Sequence, residues 1–156
     1  MKFLIVVDMQ VDFITGALGS ELAVAIVPNV VKKIKNFDGK VIFTRDTHFE
    51  NYPESLEGKN LPVPHCVKGT HGWQIRKELD GLRKTEAVDK ISFGSPELAR
   101  TLAEKKDVES ITLVGLCTDT SVSHSEIVDF MVKKSKREKI YSFYVSLCND
   151  LEDRGY

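Results

Sequence analysis

The sequence predicts a doubly wound α/β fold, a mostly parallel sheet with helices on both faces, and three observations carry that expectation. Residues 3–7 (FLIVV) and 111–114 (ITLV) are continuous β-branched and apolar runs, the pattern of strands covered on both sides. Segments of helical spacing separate the candidate strands, and alternation of strand and helix winds into a parallel sheet. Residues able to do chemistry follow the strands: Asp8 after the first, and Lys90 and the CTDTS segment (117–121) after two later ones. A sheet of this kind binds ligands beyond the carboxyl ends of its strands.

Residues 3–8 read as the first strand, ending on the Asp8 carboxylate. The glycine-containing segment 9–20 is a loop, and Glu21 to Phe37 then sets Leu22, Ala23, Ile26, Val27, Val30, Val31 and Ile34 at helical spacing, with Pro28 kinking or restarting the helix. KVIFT (40–44) is a second strand, followed by about thirty residues with little periodicity, a length that in a compact domain usually serves function. Trp73 to Leu79 reads as a helical turn and 84–89 as a third strand. Ser95 to Lys105 reads as a helix opened by Ser95 as N-cap and Pro96 at its first position. Residues 110–115 are the fourth strand, broken by Gly115 where the backbone can approach a ligand closely. Beyond Ser121, Ile127, Phe130 and Met131 have helical spacing, Lys139 to Leu147 reads as a fifth strand, and the polar end 149–156 frays. The expected organisation is one domain over 1–150.

A chain of 156 residues supports one such domain, burying about 68–70% of the surface its unfolded form exposes. With 22 basic and 23 acidic residues the net charge is -1, so no global field recruits nucleic acid or an anionic membrane, and small uncharged partners fit at least as well. The apolar run Phe3 to Val7 is too short for a signal-peptide core, and no stretch approaches the roughly 20 apolar residues of a membrane span, which reads as a cytoplasmic chain. Three irregularly spaced cysteines, Cys66, Cys117 and Cys148, form neither a disulfide framework nor a zinc knuckle.

Two constellations carry chemistry. An acid, an amine and a hydroxyl or thiol converging at the strand ends (Asp8, Lys90, CTDTS) suit nucleophilic catalysis. The plainer alternatives are a strand-end carboxylate bonding loop amides and a solvated surface amine. The second set is Asp46, His48 and His65, with Glu54 between them. Positions two apart on an extended segment face the same side, so Asp46 and His48 can share a metal while the loop returns His65. Oxygen and nitrogen ligands without cysteine suit Zn²⁺, Mn²⁺ or Fe²⁺. Loop polar groups bonding one another are the alternative, and against it stands the presence of three of the chain's four histidines in this loop. Phe13, Phe49, Tyr52 and Trp73 either stack on an aromatic substrate or fill the core. The basic run 133–139 reads as a solvated helix end, with no aromatic interleaved for nucleic acid.

Five segments in order, DMQVDF (8–13), TRDTHFENYPES (44–55), LPVPHCVKGTHGW (61–73), DKISFGS (89–95) and VGLCTD (114–119), resemble the isochorismatase-like cysteine hydrolases, closest to their nicotinamidase/pyrazinamidase branch. The resemblance spans 1–119. It implies a nicotinamidase-like amide hydrolase, turning a carboxamide such as nicotinamide into a carboxylate and ammonia, with a place in NAD salvage. It makes Asp8 the acid that takes the nucleophile's proton and Lys90 the amine that holds the nucleophile's charge. Asp46, His48 and His65 become ligands of a divalent metal, with Glu54 where some members supply a further ligand, and the backbone N–H groups of Cys117 and Ser121 form the oxyanion hole. Phe13 matches one aromatic wall of the pocket. Pro62 stands where nicotinamidases carry a tryptophan, and Trp73 is the candidate to fill that role in space.

At the nucleophile the family pattern continues TD-x-C-V, and Ser121 occupies the cysteine position. An alcohol's pKa exceeds a thiol's by about 7 units, which at about 1.36 kcal/mol each sets an upper bound on the order of 10 kcal/mol against forming the nucleophile. Impaired acyl transfer is therefore expected. Past residue 122 the chain departs from the family and is C-terminally shortened against it, leaving a sheet edge that favours a homo-oligomer. Two other readings remain: an isochorismatase-type vinyl-ether hydrolase, which needs no cysteine, and a non-catalytic ligand- or partner-binding relic.

Overall fold

A computed structural model describes residues 1–92 and 94–116. Its four strands, β1 (Lys2–Val7), β2 (Lys40–Asp46), β3 (Val88–Lys90) and β4 (Ser110–Gly115), form one sheet in the order β3-β2-β1-β4. Every pairing is parallel, with Ile5 beside Ile42 on one side and Leu113 on the other. The expected α/β class is therefore observed. A central strand flanked on both sides must be apolar on both faces, and β1 is: Phe3 through Val7 are all buried.

The two faces of β1 feed two cores. Leu4 and Val6 pack with Phe43 and with Ile26, Val27, Val30 and Ile34 of helix α2 (Glu21–Lys35). Phe3, Ile5 and Val7 pack on the other side with Leu98, Ala99 and Leu102 of helix α5 (Pro96–Glu104). Alternation along one strand thus recruits one helix to each layer. Ser20 caps α2 by accepting from the Ala23 N–H at 3.1 Å, and Ser95 caps α5 by accepting from the Leu98 N–H at 3.3 Å, as the sequence predicts for α5. Helix α2 runs through Pro28 without restarting. The proline lies on the exposed face, where water can satisfy the carbonyl one turn back that it leaves unbonded.

Other expectations shift. The third strand is only Val88–Lys90, because Lys84, Thr85 and Glu86 are exposed polar residues that bury nothing. The long loop after β2 holds a 3₁₀ turn (Tyr52–Glu54) and helix α3 (Leu56–Asn60), both too short to give a hydrophobic period. Short helices α1 (Val11–Ile14) and α4 (Lys77–Asp80) complete the described elements, α4 replacing the helical turn expected from Trp73. Gly115 serves a different contact from the one expected: a Cβ there would meet the Val7 carbonyl oxygen at 2.1 Å, so its bareness lets β4 close on β1. No helix among the described residues is long and apolar enough to cross a membrane. The helix expected after Ser121, the fifth strand and the frayed end lie outside the described residues.

Candidate active site and metal centre

β1 delivers Asp8 one residue past its last paired position, and the chain turns sharply there: φ is 50°, in the left-handed region a non-glycine residue rarely adopts. The Gln10 N–H donates to the Asp8 carbonyl at 2.7 Å and closes the turn. The Asp8 carboxylate has no exposed surface. Its Oδ1 accepts from Thr44 Oγ1 at 2.8 Å, and its Oδ2 lies 2.6 Å from Lys90 Nζ, whose side chain is also buried. Lys90 is the last residue of β3 and Asp46 the last of β2, and the two are paired across the strands, so Nζ also sits 3.7 Å from Asp46 Oδ1. Acid, amine and second carboxylate form a row along the carboxyl ends of β1, β2 and β3. The plainer reading of Lys90 as a solvated amine is excluded by its burial.

The metal candidates continue that row. Asp46 Oδ2 is 2.9 Å from His48 Nε2 and 3.8 Å from His65 Nε2, and one donor atom from each of the three residues lies within 4.8 Å of the others. His65 Nδ1 is 2.8 Å from the Val63 carbonyl, which can only accept, so the ring proton sits on Nδ1 and Nε2 presents a lone pair to the cluster. His48 Nε2 is buried and faces the cluster, with Asp46 Oδ2 as its nearest polar neighbour. Two imidazole nitrogens and a carboxylate converging in a largely buried cluster are the donor set a divalent cation takes. The three residues therefore fit a metal.

Local structure explains how a loop holds these donors. His48 follows β2 in a parallel bridge with Val67: its N–H donates to the Cys66 carbonyl at 3.0 Å, and its carbonyl accepts from the Lys68 N–H at 2.9 Å. Cys66 takes φ 47°, turning the chain just after His65, and its N–H donates to Asp12 Oδ2 at 2.8 Å. Asp12 lies flush against Gly72, where any Cβ would strike the carboxylate. Gln10 clamps Asp46 from the other side, accepting from its N–H at 2.7 Å and donating to its carbonyl at 2.9 Å. Tyr52 packs edge-on to His48 and His65, at ring separations of 4.6 and 5.2 Å, and its hydroxyl donates to the Leu61 carbonyl at 2.8 Å.

Two expected residues do not join the cluster. Glu54 is exposed in the 3₁₀ turn, and the carboxylate that faces the imidazoles is Glu57, one turn on in α3, with Oε1 3.8 Å from His48 Nε2 and 3.6 Å from His65 Nε2. The intervening turn and helix carry Glu54 away and bring Glu57 in. Trp73 is engaged elsewhere, under the Arg45 guanidinium at 3.7 Å, with its indole N–H donating to Thr47 Oγ1 at 3.0 Å. The Phe13 ring lies 5.5 Å from that of His65. Cys117 and Ser121 lie outside the described residues. Thr44, Gln10, Asp12 and Glu57 are the residues a reading of the sequence missed, while Tyr52, expected to stack on a substrate or fill the core, is buried against the imidazoles. Gln10 and Asp12 stand inside DMQVDF and were within reach; Glu57 carries no local signal.

The electrostatics divide the two carboxylates. Burial pushes Asp8 above the ordinary carboxylate value even though the Lys90 charge pulls it down, which makes it a better proton acceptor. Burial also opposes ionisation of Asp46, but the His48 hydrogen bond and the Lys90 and imidazole charges outweigh it and hold Asp46 below its ordinary value. For His48, burial is outweighed by the Asp46 hydrogen bond and charge together with the Glu57 charge, and its pKa is raised.

A family model described as an isochorismatase domain matches residues 2–130. Comparison with curated protein sequences gives no match. Among solved structures, the chain is similar to a pyrazinamidase of Pyrococcus horikoshii in complex with zinc, at 28% identity and TM-score 0.63 over 85% of this chain and 78% of that one. A nicotinamidase/pyrazinamidase from Bacillus subtilis is similar at 28% identity and TM-score 0.67, covering 85% and 79%. A pyrazinamidase/nicotinamidase from Streptococcus mutans is similar at 27% identity and TM-score 0.68, covering 85% and 81%.

Proposed function

We propose, from the premise that this chain belongs to the isochorismatase family, that it is a nicotinamidase-like scaffold for hydrolysing a small aromatic carboxamide, with acyl transfer slowed by Ser121. The observation that carries this reading is the buried row in which Lys90 Nζ lies 2.6 Å from Asp8 and 3.7 Å from Asp46, continuous with the two imidazoles. Neighbours that act on nicotinamide or pyrazinamide by name, one of them holding zinc, support the substrate class and the metal.

Asp8, held more basic than an ordinary carboxylate by burial, takes the proton of the attacking hydroxyl and returns it to the departing ammonia; water then releases the carboxylate product. The Lys90 ammonium keeps Asp8 oriented and stabilises negative charge on the nucleophile. Phe13 offers its ring to the substrate beside His65. A zinc-like cation held by Asp46, His48 and His65 would supply a Lewis-acid anchor for a substrate donor atom. Serine at position 121 leaves Asp8 to remove a far less acidic proton than a thiol's, which sets the expected slow rate.

Ammonia release from nicotinamide and pyrazinamide by the purified, zinc-loaded chain tests this. The expected result is slow turnover that Ser121→Cys accelerates at least tenfold, about 1.4 kcal/mol of barrier. Turnover already fast with serine would refute the impairment. Zinc-loaded Ser121→Cys protein without turnover on either amide would refute the substrate class.

A further inference from the structure

β3 is three residues long, and its pairing with β2 is confined to Thr44 with Val88, Arg45 with Asp89 and Asp46 with Lys90. So short a strand specifies its register weakly, and a slip of one residue turns every side chain to the opposite face. Lys90 would then leave the buried ion pair with Asp8. On the face of the strand pair opposite Asp46 and Lys90, Arg45 Nε and Nη2 each lie 2.7 Å from Asp89 Oδ1, and Lys68 Nζ lies 3.5 Å from Asp89 Oδ2. The Arg45 guanidinium stacks 3.7 Å above the Trp73 ring, whose N–H donates to Thr47. Trp73 thereby grips the residues on both sides of Asp46. The Thr47 N–H in turn donates to the Lys90 carbonyl at 2.9 Å, so the grip reaches β3.

We propose that Trp73, Arg45 and Asp89 are positioning residues, a stacked and ion-paired clamp behind the β2–β3 pair that fixes its register and keeps Asp46 and Lys90 facing the site. The charges also penalise both neighbouring registers. A slip in one direction sets Lys90 opposite Arg45, two cations; a slip in the other sets Asp89 opposite Asp46, two carboxylates. Like charges directly across a strand pair destabilise it. Only the observed register places Arg45 across from Asp89 and Lys90 across from Asp46. The guanidinium is suited to this double duty because its plane stacks on an indole while its edge holds a carboxylate, which an ammonium cannot do. The arrangement gives Trp73 a role at a distance from the substrate, in place of a pocket wall.

The inference rests on reading Asp46 and Lys90 as site residues, and its test reads the exposure of the amine, so a failure of hydrolysis leaves it intact. Lys90, with 4% of its side chain exposed, is labelled by an amine-acetylating reagent only when the strand opens, and peptide mass spectrometry quantifies the product. Asp89→Ala and Trp73→Ala are each expected to raise Lys90 labelling about fivefold, the change in opening that follows loss of a half-buried pair at the upper end of the usual range. Asp89→Glu, which keeps the charge, is expected to stay within about twofold of the parent protein. Trp73→Ala alters no charge, so it separates register from a change in the field at the amine. Hydrogen exchange of the β1 amides, paired on both sides, reports global opening and is expected to be unchanged. Unchanged Lys90 labelling in both alanine variants overturns the clamp, as does an equal rise in Asp89→Glu or a rise matched by exchange in β1. Should Asp89→Ala fail to fold, Asp89→Asn replaces it under the same criteria.

Discussion

The acid–amine half of the candidate site and its candidate metal half sit side by side but are held by different means. Asp8, Lys90 and Asp46 are strand-end residues whose positions follow from sheet register, while His65 and Glu57 come from a long loop organised by short helices, one left-handed residue and side-chain bonds to its backbone. Along β1, register is enforced by the cores on both of its faces. Loop geometry depends on a few named contacts, so damage there should be local and graded, whereas damage to the strand-end pair should reach the fold itself.

The largest effect expected on this view is from Lys90→Met, which leaves the Asp8 carboxylate without its partner at zero exposure. Removing one member of a buried ion pair costs about 3–5 kcal/mol, and urea unfolding should show that loss. The double variant Asp8→Asn/Lys90→Met, with neither charge left, should recover most of it; a double variant as unstable as the single would show that Lys90 stabilises by packing alone.

Next in size is the metal half. Glu57→Gln should weaken zinc binding by about 10–100-fold in a chelator competition, the range typical of groups that support metal ligands, and Glu54→Gln should leave it unchanged. The reverse ranking would mean that the loop adopts another arrangement when loaded. Tyr52→Phe removes the hydroxyl bond to Leu61 and should lower stability by about 1 kcal/mol, read as a shift in the denaturation midpoint.

The smallest effect is a change of slope. For Asp8, whose folded pKa lies above its unfolded value, the linked stability is fully present below the unfolded value and is lost as pH rises through the folded one. For Asp46, whose folded pKa is depressed, it is present above the unfolded value and is lost as pH falls through the folded one. In chelator-treated protein, Asp46→Asn should therefore flatten the loss of stability on the acid side, while Asp8→Asn should steepen it. Parallel curves for the two variants would contradict the division between the carboxylates.

The same division governs what the amino-acid sequence made legible. Apolar runs located β1 and β4, and with them Asp8 at a strand end, because burial on both faces leaves an unmistakable composition. Ser95-Pro96 located α5 because a cap and a proline act within one turn. The spacing of Asp46 and His48 was readable because a strand alternates its side chains. Glu57 was not readable, since a five-residue helix imposes no period long enough to count. Trp73 was misplaced because its type suggested a pocket wall, while its partners, Arg45 and Thr47, are near it only after the loop folds back.

The contact between Gly115 and the Val7 carbonyl has a consequence for how such a site can change over time. The segment that leaves β4 starts against the segment that presents Asp8, with main chain touching main chain and no side chain between them. A substitution at Gly115 would act as a wedge, widening the gap between the acid and whatever the next segment offers it. The distance between the two backbones is thus set by a residue that contributes only its lack of a side chain.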